Sequence, residues 1–495
     1  MNMIMQRRHL TIAAVFFLLL HYSATAQNQG ADSLISEISS GPAVTYTIQQ
    51  CIDSALSNNA NVKGAEFTAR LAKNAVLGQI GTALPYVSGY AQFLNNGGRS
   101  VNTVTYTYIT ENYNQGYGTL SGNWTIFNGF SIQNFIKQYS LAYQADKKDW
   151  QYQKDLITLS IIQDYFTILG TEEQLDLAQK QAADIRHHAD LMSIQDSLGV
   201  IAHSAMTDQL ASLNAAELTI VSTKNALETG KLKLATDMNI PYSPNLDVTK
   251  INADLTPILY NASVDQVYQN ATHNIASIQA AELHAESARK GVLAARGNMT
   301  PTLSLQYGIQ SNFSTAATNT TSLGTTFYND GSYVNVGGAQ QLVNYPASIP
   351  GATKGIPLGT QFNANLQTSL GLVLNIPILN GLRYRVAYRN SLVTRDQMNF
   401  NLKTANASLR QAVESNYVLM VQNFRTYNVT YREVQNYEES FREASIQYQH
   451  GYINSLQYVI YNTNKNFAEL NLIAAKYNYL LATKILDYYQ GQLTW

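Results

Sequence analysis

Apolar residues along this chain follow two different periods. Leu156, Leu159 and Ile162 are three residues apart, which is typical of one face of a helix. Leu303 and Leu305 are two residues apart with a polar residue between them, which is typical of a strand. Proline and glycine, which cost a helix interior about 3 and about 1 kcal/mol, are scarce wherever the spacing is helical. These patterns predict long helices over Ile48–Ala83, Phe130–Leu198, Ser204–Asp237, Ser263–Arg296, Leu382–His450 and Asn454–Tyr489.

Strict alternation of apolar and polar residues predicts four strands, near 84–94, 117–127, 302–311 and 365–377. Strands of about ten residues with one apolar face are typical of a transmembrane barrel. A soluble sandwich shows the same alternation. Four strands cannot close a barrel, and an open sheet edge is not tolerated in lipid. If these strands span a membrane, several chains must contribute to one barrel.

The chain contains two copies of one plan. Asn61–Glu66 recurs as Ser277–Glu282, at an offset of 282 − 66 = 216 residues. Phe127–Gly129 recurs as Leu379–Gly381, at an offset of 381 − 129 = 252 residues. The second copy therefore holds 252 − 216 = 36 additional residues between its two strands. We predict a first repeat over 45–238, an irregular equatorial segment over 239–262 and a second repeat over 263–495.

The polar stretches between paired strands are Asn95–Gly116 and Ser311–Ala364. Asn, Thr, Ser, Gly and Tyr dominate both, and the second also contains several prolines. We expect both to be surface loops, with a short extra hairpin as the alternative.

The N-terminus predicts export from the cytoplasm. Arg7 and Arg8 precede the apolar run Leu10–Leu20, and small residues lie before Gln27, so 1–26 is predicted to be a signal peptide and 27–44 a flexible segment. Without the two arginines, 30 basic residues face 33 acidic ones, which gives no reason to expect nucleic acid. Only 13% of residues are charged and 33 are tyrosines, a composition that suggests a bacterial outer-membrane protein.

Four kinds of segment stand out along the chain: Tyr46–Asn59, which reads YTIQQCIDSALSNN, the Leu84-Pro85 strand start, the Phe-Asn-Gly and Leu-Asn-Gly strand exits, and the helix end Ile446–Gly451. In their order and duplication, these segments resemble the TolC family of outer-membrane efflux proteins. The strand–helix junctions are then Pro85, Pro301, Asn128, Gly129, Asn380 and Gly381. The resemblance extends from about Thr45 to Tyr489.

The resemblance implies an α+β membrane protein with a long α-helical coiled-coil tunnel and four transmembrane strands per chain. Three chains would close one 12-stranded barrel in outer-membrane lipid, above a periplasmic tunnel. The expected function is a passive exit duct that docks on a periplasmic adaptor and an inner-membrane transporter of the RND or ABC class. The alternative is a barrel-anchored structural or adhesive helical rod without transport.

Two sets of site residues follow from the resemblance. The helix–helix tips expected to meet the adaptor contain Gly199, Val200, Gly451 and Tyr452. In the family, acidic residues six and nine positions after the second tip glycine line a constriction. Here those positions hold Gln457 and Ile460, so Asp208, nine after Gly199, is the acidic candidate.

Residues for catalysis or metal binding do not form a recognisable motif. His187 and His188 are adjacent, so on a helix they point about 100° apart and do not form a two-ligand face. No phosphate loop, nucleophile elbow or spaced carboxylate pair stands out. We therefore expect no enzymatic activity, no cofactor and no metal site, and we expect the single cysteine, Cys51, to be a buried small residue.

Overall fold

The computed structural model describes residues 44–101, 106, 108–110, 112–250 and 257–492. The predicted signal peptide and nearly all of the predicted flexible segment lie outside these residues. The described chain forms two compact units. The helical unit contains the described residues of 1–72, 142–285 and 398–495, and the sheet unit contains those of 73–141 and 286–397.

Three helices of the first copy have counterparts of identical length in the second copy. They are α1 (Ile48–Asn58), α2 (Ala60–Gly81), α3 (Ser131–Ser197), α4 (His203–Asp237), α5 (Val264–Asn274), α6 (Ala276–Gly297), α7 (Leu358–Ala364), α8 (Arg383–Gln449) and α9 (Ser455–Gln490). Adding 216 to the bounds of α1 and α2 gives those of α5 and α6. Adding 252 to the bounds of α3 gives those of α8, and both of these helices have 67 residues. At 1.5 Å per residue, each is about 100 Å long.

The predicted helices Ile48–Ala83 and Ser263–Arg296 are each divided in two, which corrects the sequence analysis. The break falls at Asn59 in the first copy and at Ile275 in the second, and both residues have extended backbone. Asn59 donates from Nδ2 to the Asp237 carbonyl at 3.0 Å, and its Oδ1 accepts from the Asn61 amide at 2.9 Å. Neither break contains proline or glycine, so a helix can end at these positions without either residue.

Each repeat contributes one apolar cluster to the helical unit. The first cluster includes Ile52 on α1, Tyr165 on α3 and Leu234 on α4, and Tyr165 donates to the Thr249 carbonyl at 2.6 Å. Cys51 is fully buried in this cluster, as predicted, and burial raises the pKa of its thiol to about 12. In the second cluster, Val267 on α5 packs with residues of α8 and α9. Burial of apolar area therefore fixes α1 and α5 in the same way in the two copies.

The strands are β1 (Val44–Tyr46), β2 (Tyr86–Asn96), β3 (Arg99–Val101), β4 (Tyr108–Thr110), β5 (Tyr113–Phe127), β6 (Leu246–Val248), β7 (Thr302–Ser314), β8 (Thr318–Tyr328), β9 (Tyr333–Val336), β10 (Ala339–Leu342), β11 (Tyr345–Gly355) and β12 (Gln367–Asn375). The four predicted strands form one antiparallel sheet in the order β12–β7–β5–β2. In the helical unit, β1 pairs in parallel with β6, which lies in the predicted irregular segment 239–262.

The register of the four-stranded sheet confirms the alternation found in the sequence. Val87 lies opposite Gly122, and Gly122 lies opposite Tyr307. Tyr307 in turn lies opposite Leu370. The predicted apolar positions of all four strands therefore share one face, because side chains on directly opposite residues point the same way. Gly122 has no side chain at this point, and the ring of Tyr307 occupies the space above it.

In Asn95–Gly116 and Ser311–Ala364 the structure has paired strands, so the alternative of extra hairpins holds and the expectation of simple surface loops is wrong. In the first, β3 pairs with β4, and in the second, β8 pairs with β11 and β9 with β10. Pro346 and Pro350, which favoured a loop, lie in β11. Among the described strands, β11 pairs only with β8, so it is an edge strand. An edge strand tolerates proline because its outward N–H groups are not needed for pairing.

None of the helices in the described residues is long and apolar enough to cross a membrane.

Candidate functional site

The two predicted tips are the same backbone turn. In the first, the Gly199 amide donates to the Asp196 carbonyl and the Val200 amide to the Gln195 carbonyl, both at 2.9 Å. This pair of hydrogen bonds is the Schellman motif, which ends a helix with a left-handed residue. That residue is Gly199, with φ of +66°. Glycine adopts this conformation without steric cost, so the sequence ends α3 here.

The second tip repeats these contacts after α8. The Gly451 amide donates to the Tyr448 carbonyl at 3.0 Å, and the Tyr452 amide donates to the Gln447 carbonyl at 2.9 Å. Gly451 has φ of +73°. The hydrogen bonds of both turns use only backbone groups, and the ring of Tyr452 lies beside that of His450, with their centroids 6.2 Å apart. The side chains after the two glycines are exposed: Val200 to 69% and Tyr452 to 81%.

The helices that follow the tips begin differently. Asn454 starts α9 with a capping box, in which its Oδ1 accepts from the Gln457 amide at 2.9 Å and its own amide donates to Gln457 Oε1 at 3.2 Å. The residue before α4, Ala202, makes no side-chain cap, and His203 instead lies 2.9 Å from Asp196 across the turn. The side-chain oxygen of Gln457 thus caps the start of its own helix. Its position six residues after Gly451 did not indicate this role.

The remaining constriction candidates lie on the surface of the chain. Asp208 is exposed on α4, and Ile460 is 50% exposed on α9. Within one chain, Asp208 and Ile460 are therefore exposed to solvent, and no hydrogen bond or ion pair in the described residues links the Asp208 carboxylate to Gln457.

A cluster around Tyr458 joins the two repeats near the tips. The Tyr458 hydroxyl lies 2.6 Å from Nε2 of His188 on α3, and its ring stacks on Tyr448 of α8 with centroids 4.9 Å apart. Burial, and next the neighbouring His187, lower the pKa of His188. A neutral imidazole can accept the Tyr458 hydroxyl proton in a hydrogen bond. His188 therefore links α3 to α9 through its hydrogen bond with Tyr458.

The strand–helix junctions share an unusual backbone. After Asn128, both Gly129 and Phe130 have positive φ, at +64° and +60°. After Asn380, Gly381 and Leu382 have φ of +61° and +65°. Two successive left-handed residues link the strand to the helix in each copy, and the second is not glycine, although non-glycine residues rarely adopt this conformation. The Asn-Gly signal thus corresponds to a specific turn in both copies.

Pro85 and Pro301 come directly before the strands β2 and β7. The missing N–H of proline is tolerated there because the first position of a strand need not donate. Near the first of these junctions, Nε1 of Trp124 donates to the Ala83 carbonyl at 3.0 Å. Gly129 and Gly297 approach so closely that a Cβ on either would lie within 2.7 Å of the other's carbonyl oxygen.

Both edges of the four-stranded sheet lack a neighbour within the described chain. β2 pairs only with β5, and β12 pairs only with β7. All nine residues of β12 are exposed, and its apolar side chains Leu370, Leu372 and Leu374 are 75%, 65% and 60% exposed. The opposite face is polar: Gln310 accepts from the Tyr117 hydroxyl at 2.8 Å and donates to Gln367 at 2.6 Å. One sheet face therefore suits lipid and the other suits water.

The structure also assembles a cluster that the sequence analysis missed. Asp146 and Asp149 on α3 meet His284 on α6, 135 residues away, with His284 Nε2 3.0 Å from an oxygen of Asp149. The hydrogen bond with Asp149 is the main cause that raises the pKa of His284, and burial raises the pKa of Asp146. The sequence signal was the three-residue spacing of the carboxylates, which places both on one helix face.

Long duplicated helices and a sheet with one apolar and one polar face, in the same chain, define a class of outer-membrane proteins. A model of the outer membrane efflux protein family matches residues 82–238 and 267–492. These ranges are more than half of the chain and contain parts of both repeats. The chain belongs to the outer membrane efflux protein family, which confirms the resemblance and the outer-membrane location predicted from sequence.

Solved structures with the same fold cover 90% of the chain at low sequence identity. CusC, a protein that forms a transmembrane channel, has a TM-score of 0.71 and 15% identity over 92% of its chain. VceC, an outer membrane protein from Vibrio cholerae, has a TM-score of 0.69 and 13% identity over 96%. CmeC, an outer membrane channel from Campylobacter jejuni, has a TM-score of 0.65 and 15% identity over 86%. No curated protein sequence matches the chain.

Proposed function

We propose that the chain forms, as a homotrimer, the passive outer-membrane exit duct of a tripartite efflux or secretion pump. The observation that carries the proposal is the four-stranded sheet with one apolar face and two unpaired edges. Unpaired backbone groups cost several kcal/mol each in lipid, so both edges must find partners when the sheet enters the membrane. Other copies of the same chain are the available partners.

The strand directions support closure between identical copies. In the order β12–β7–β5–β2 every neighbour is antiparallel, so β12 and β2 run in opposite directions. The β2 edge of one copy can therefore pair antiparallel with the β12 edge of the next. Four strands are too few to close, whereas three copies supply 3 × 4 = 12 strands, within the range of known barrels. Such head-to-tail contacts form a ring when the rotation closes.

The two tips are the proposed contact with a periplasmic adaptor. Val200 and Tyr452 are exposed side chains on turns that are held by backbone hydrogen bonds. Exposed apolar residues on a rigid backbone favour binding to a partner protein, because little conformational entropy is lost on contact. An inner-membrane transporter of the RND or ABC class would supply the energy, since the chain shows no phosphate-binding or catalytic motif.

The trimer is tested by the mass of the purified protein. We expect extraction from membranes to require detergent. The protein mass, measured by light scattering after subtraction of the detergent, should be three times that of one mature chain without the predicted signal peptide 1–26. A second measurement in another detergent controls for loss of subunits. A protein that is recovered without detergent as a monomer would contradict both the barrel and the duct.

Asp208 is the proposed acidic residue of the constriction. Three carboxylates around one axis would favour cations over anions, because they concentrate negative charge in a narrow pore. We expect Asp208→Asn to lower the cation preference, measured as the reversal potential across a planar bilayer with a salt gradient. Asp208→Glu keeps the charge and should keep the preference. Equal reversal potentials for the wild type and Asp208→Asn would exclude Asp208 from the pore lining.

A further inference from the structure

We propose that Asp146, Asp149 and His284 bind a divalent transition-metal ion of the Zn²⁺ type. Their ligand atoms, two carboxylate oxygens and one imidazole nitrogen, all lie within 4.8 Å of one another. His284 Nε2 is 3.0 Å from Asp149 Oδ2 and 4.0 Å from Asp146 Oδ1. It is the only such group of three among the residues that the structure describes.

The spacing of these atoms suits a metal ion between them. Zinc binds imidazole nitrogen and carboxylate oxygen at about 2.0–2.2 Å, so two of its tetrahedral ligand atoms are about 3.4 Å apart. The distances of 3.0 and 4.0 Å lie on either side of that value. Small side-chain rotations would therefore place all three atoms around one ion. Three protein ligands leave a fourth position for water.

The surroundings of the cluster leave room for this fourth ligand. The side chains of Asp146, His284 and Asp149 are 22%, 35% and 48% exposed, so none is cut off from solvent. The two aspartates line an open cavity of about 420 Å³ together with Asn61 and Gln153. An ion can therefore enter from solvent and keep a bound water.

An ordinary ion pair accounts for only part of this arrangement. His284 needs one carboxylate for a hydrogen bond and has one in Asp149. Asp146 lies on the same helix face as Asp149, so the two carboxylates repel each other when both are ionised. A divalent cation would relieve this repulsion, since it interacts favourably with both carboxylates at once.

The metal would join the two repeats of the chain. Asp146 and Asp149 lie on α3 of the first repeat, and His284 lies on α6 of the second. A ligand that binds the folded state raises the stability of that state by mass action. The proposed site is therefore a structural clamp, and it is independent of the proposed transport function.

The test is zinc binding to the full-length, detergent-purified protein after removal of metals with a chelator. We expect about one zinc ion per chain by isothermal titration calorimetry, and a rise in melting temperature when zinc is added. His284→Gln and Asp149→Asn should weaken zinc binding by more than about 10-fold, the effect of removing even an indirect partner of a metal site. Asp146→Asn keeps the His284–Asp149 pair and should weaken binding as well.

The matched control is His203→Gln. His203 forms a similar pair with Asp196, with 2.9 Å between nitrogen and oxygen, but it belongs to no group of three ligands in the described chain. We expect this variant to bind zinc like the wild type. Wild-type protein that binds no zinc, or Asp146→Asn that binds it as tightly as the wild type, would overturn the proposal. Circular dichroism of each variant verifies that the helices are intact.

Discussion

Glutamate at both Val200 and Tyr452 is expected to abolish export while the trimer stays folded. Both side chains are exposed in the isolated chain, at 69% and 81%, so the substitutions cost little in folding. The tip turns depend on the backbone amides of these residues and on the glycines before them, which the substitutions keep. Against an adaptor, however, the variant would have to bury unpaired carboxylates, at a cost of several kcal/mol each.

The experiment places the variant at its chromosomal position in the native host. A dye is chosen whose accumulation rises when the gene is deleted. We expect the double-glutamate strain to accumulate this dye like the deletion strain. Val200→Ile with Tyr452→Phe keeps the apolar surface and should export normally. Normal export by the double-glutamate strain, with equal amounts of protein in the outer membrane, would show that the adaptor does not contact these tips.

Gly129→Ala is expected to destabilise the sheet unit by about 2–5 kcal/mol. About 1–2 kcal/mol comes from forcing a residue with a Cβ into the left-handed region, where Gly129 lies at φ +64°. A further contribution of about 1–3 kcal/mol comes from overpacking, because the new Cβ would lie 2.7 Å from the carbonyl oxygen of Gly297. Backbone atoms on both sides of this contact cannot rotate away as a flexible side chain could.

The second repeat supplies the matched control, Gly381→Ala. Gly381 has nearly the same φ, +61°, but a Cβ added there would meet no atom within 4 Å. We expect this variant to lose only the conformational part, about 1–2 kcal/mol. Thermal denaturation of the two purified variants, followed by circular dichroism, measures the difference. Equal melting temperatures would mean that the Gly129–Gly297 approach does not limit the stability of the fold.

Periodicity and the placement of glycine and proline were sufficient to predict most of the fold. The long helices α3 and α8 begin and end within two residues of their predicted bounds, because the Asn-Gly turns and the tip glycines end regular structure at these points. Alternation of apolar and polar residues predicted the four sheet strands, because a strand with lipid on one side and water on the other must alternate in this way.

The features that escaped prediction depend on contacts between distant residues. The break at Asn59 uses a hydrogen bond to Asp237, which is 178 residues away. The strand β11 contains two prolines and is possible only because its other edge is unpaired within the described chain. The pattern of neighbouring residues in the sequence indicates neither the Asn59–Asp237 hydrogen bond nor the unpaired edge of β11. The 36 additional residues of the second copy fall in Ser311–Ala364, which was expected to be a loop with a hairpin as the alternative, and the pairing of β11 with β8 agrees with the hairpin.

The site residues also divide into those with a local signal in the sequence and those that only the folded structure brings together. The glycines at 199, 451, 129 and 381 could be located from sequence because positive φ selects glycine locally. The capping box of α9 also has a local signal, the Asn454-x-x-Gln457 pattern. The sequence analysis considered Gln457 only as a position of the constriction. The Asp146–Asp149–His284 cluster required the structure, because one of its ligands comes from the other repeat.

The central claim, that this protein is a membrane duct, is tested most directly by single-channel current through the purified protein in a planar bilayer. We predict small, steady currents from a trimer, because the proposed constriction would nearly close the duct at its periplasmic end. Replacing Asp208 and Ile460 by alanine should widen that end and raise the conductance. A trimer that inserts into the bilayer and passes no current, even with both replacements, would contradict the duct and favour a membrane-anchored rod.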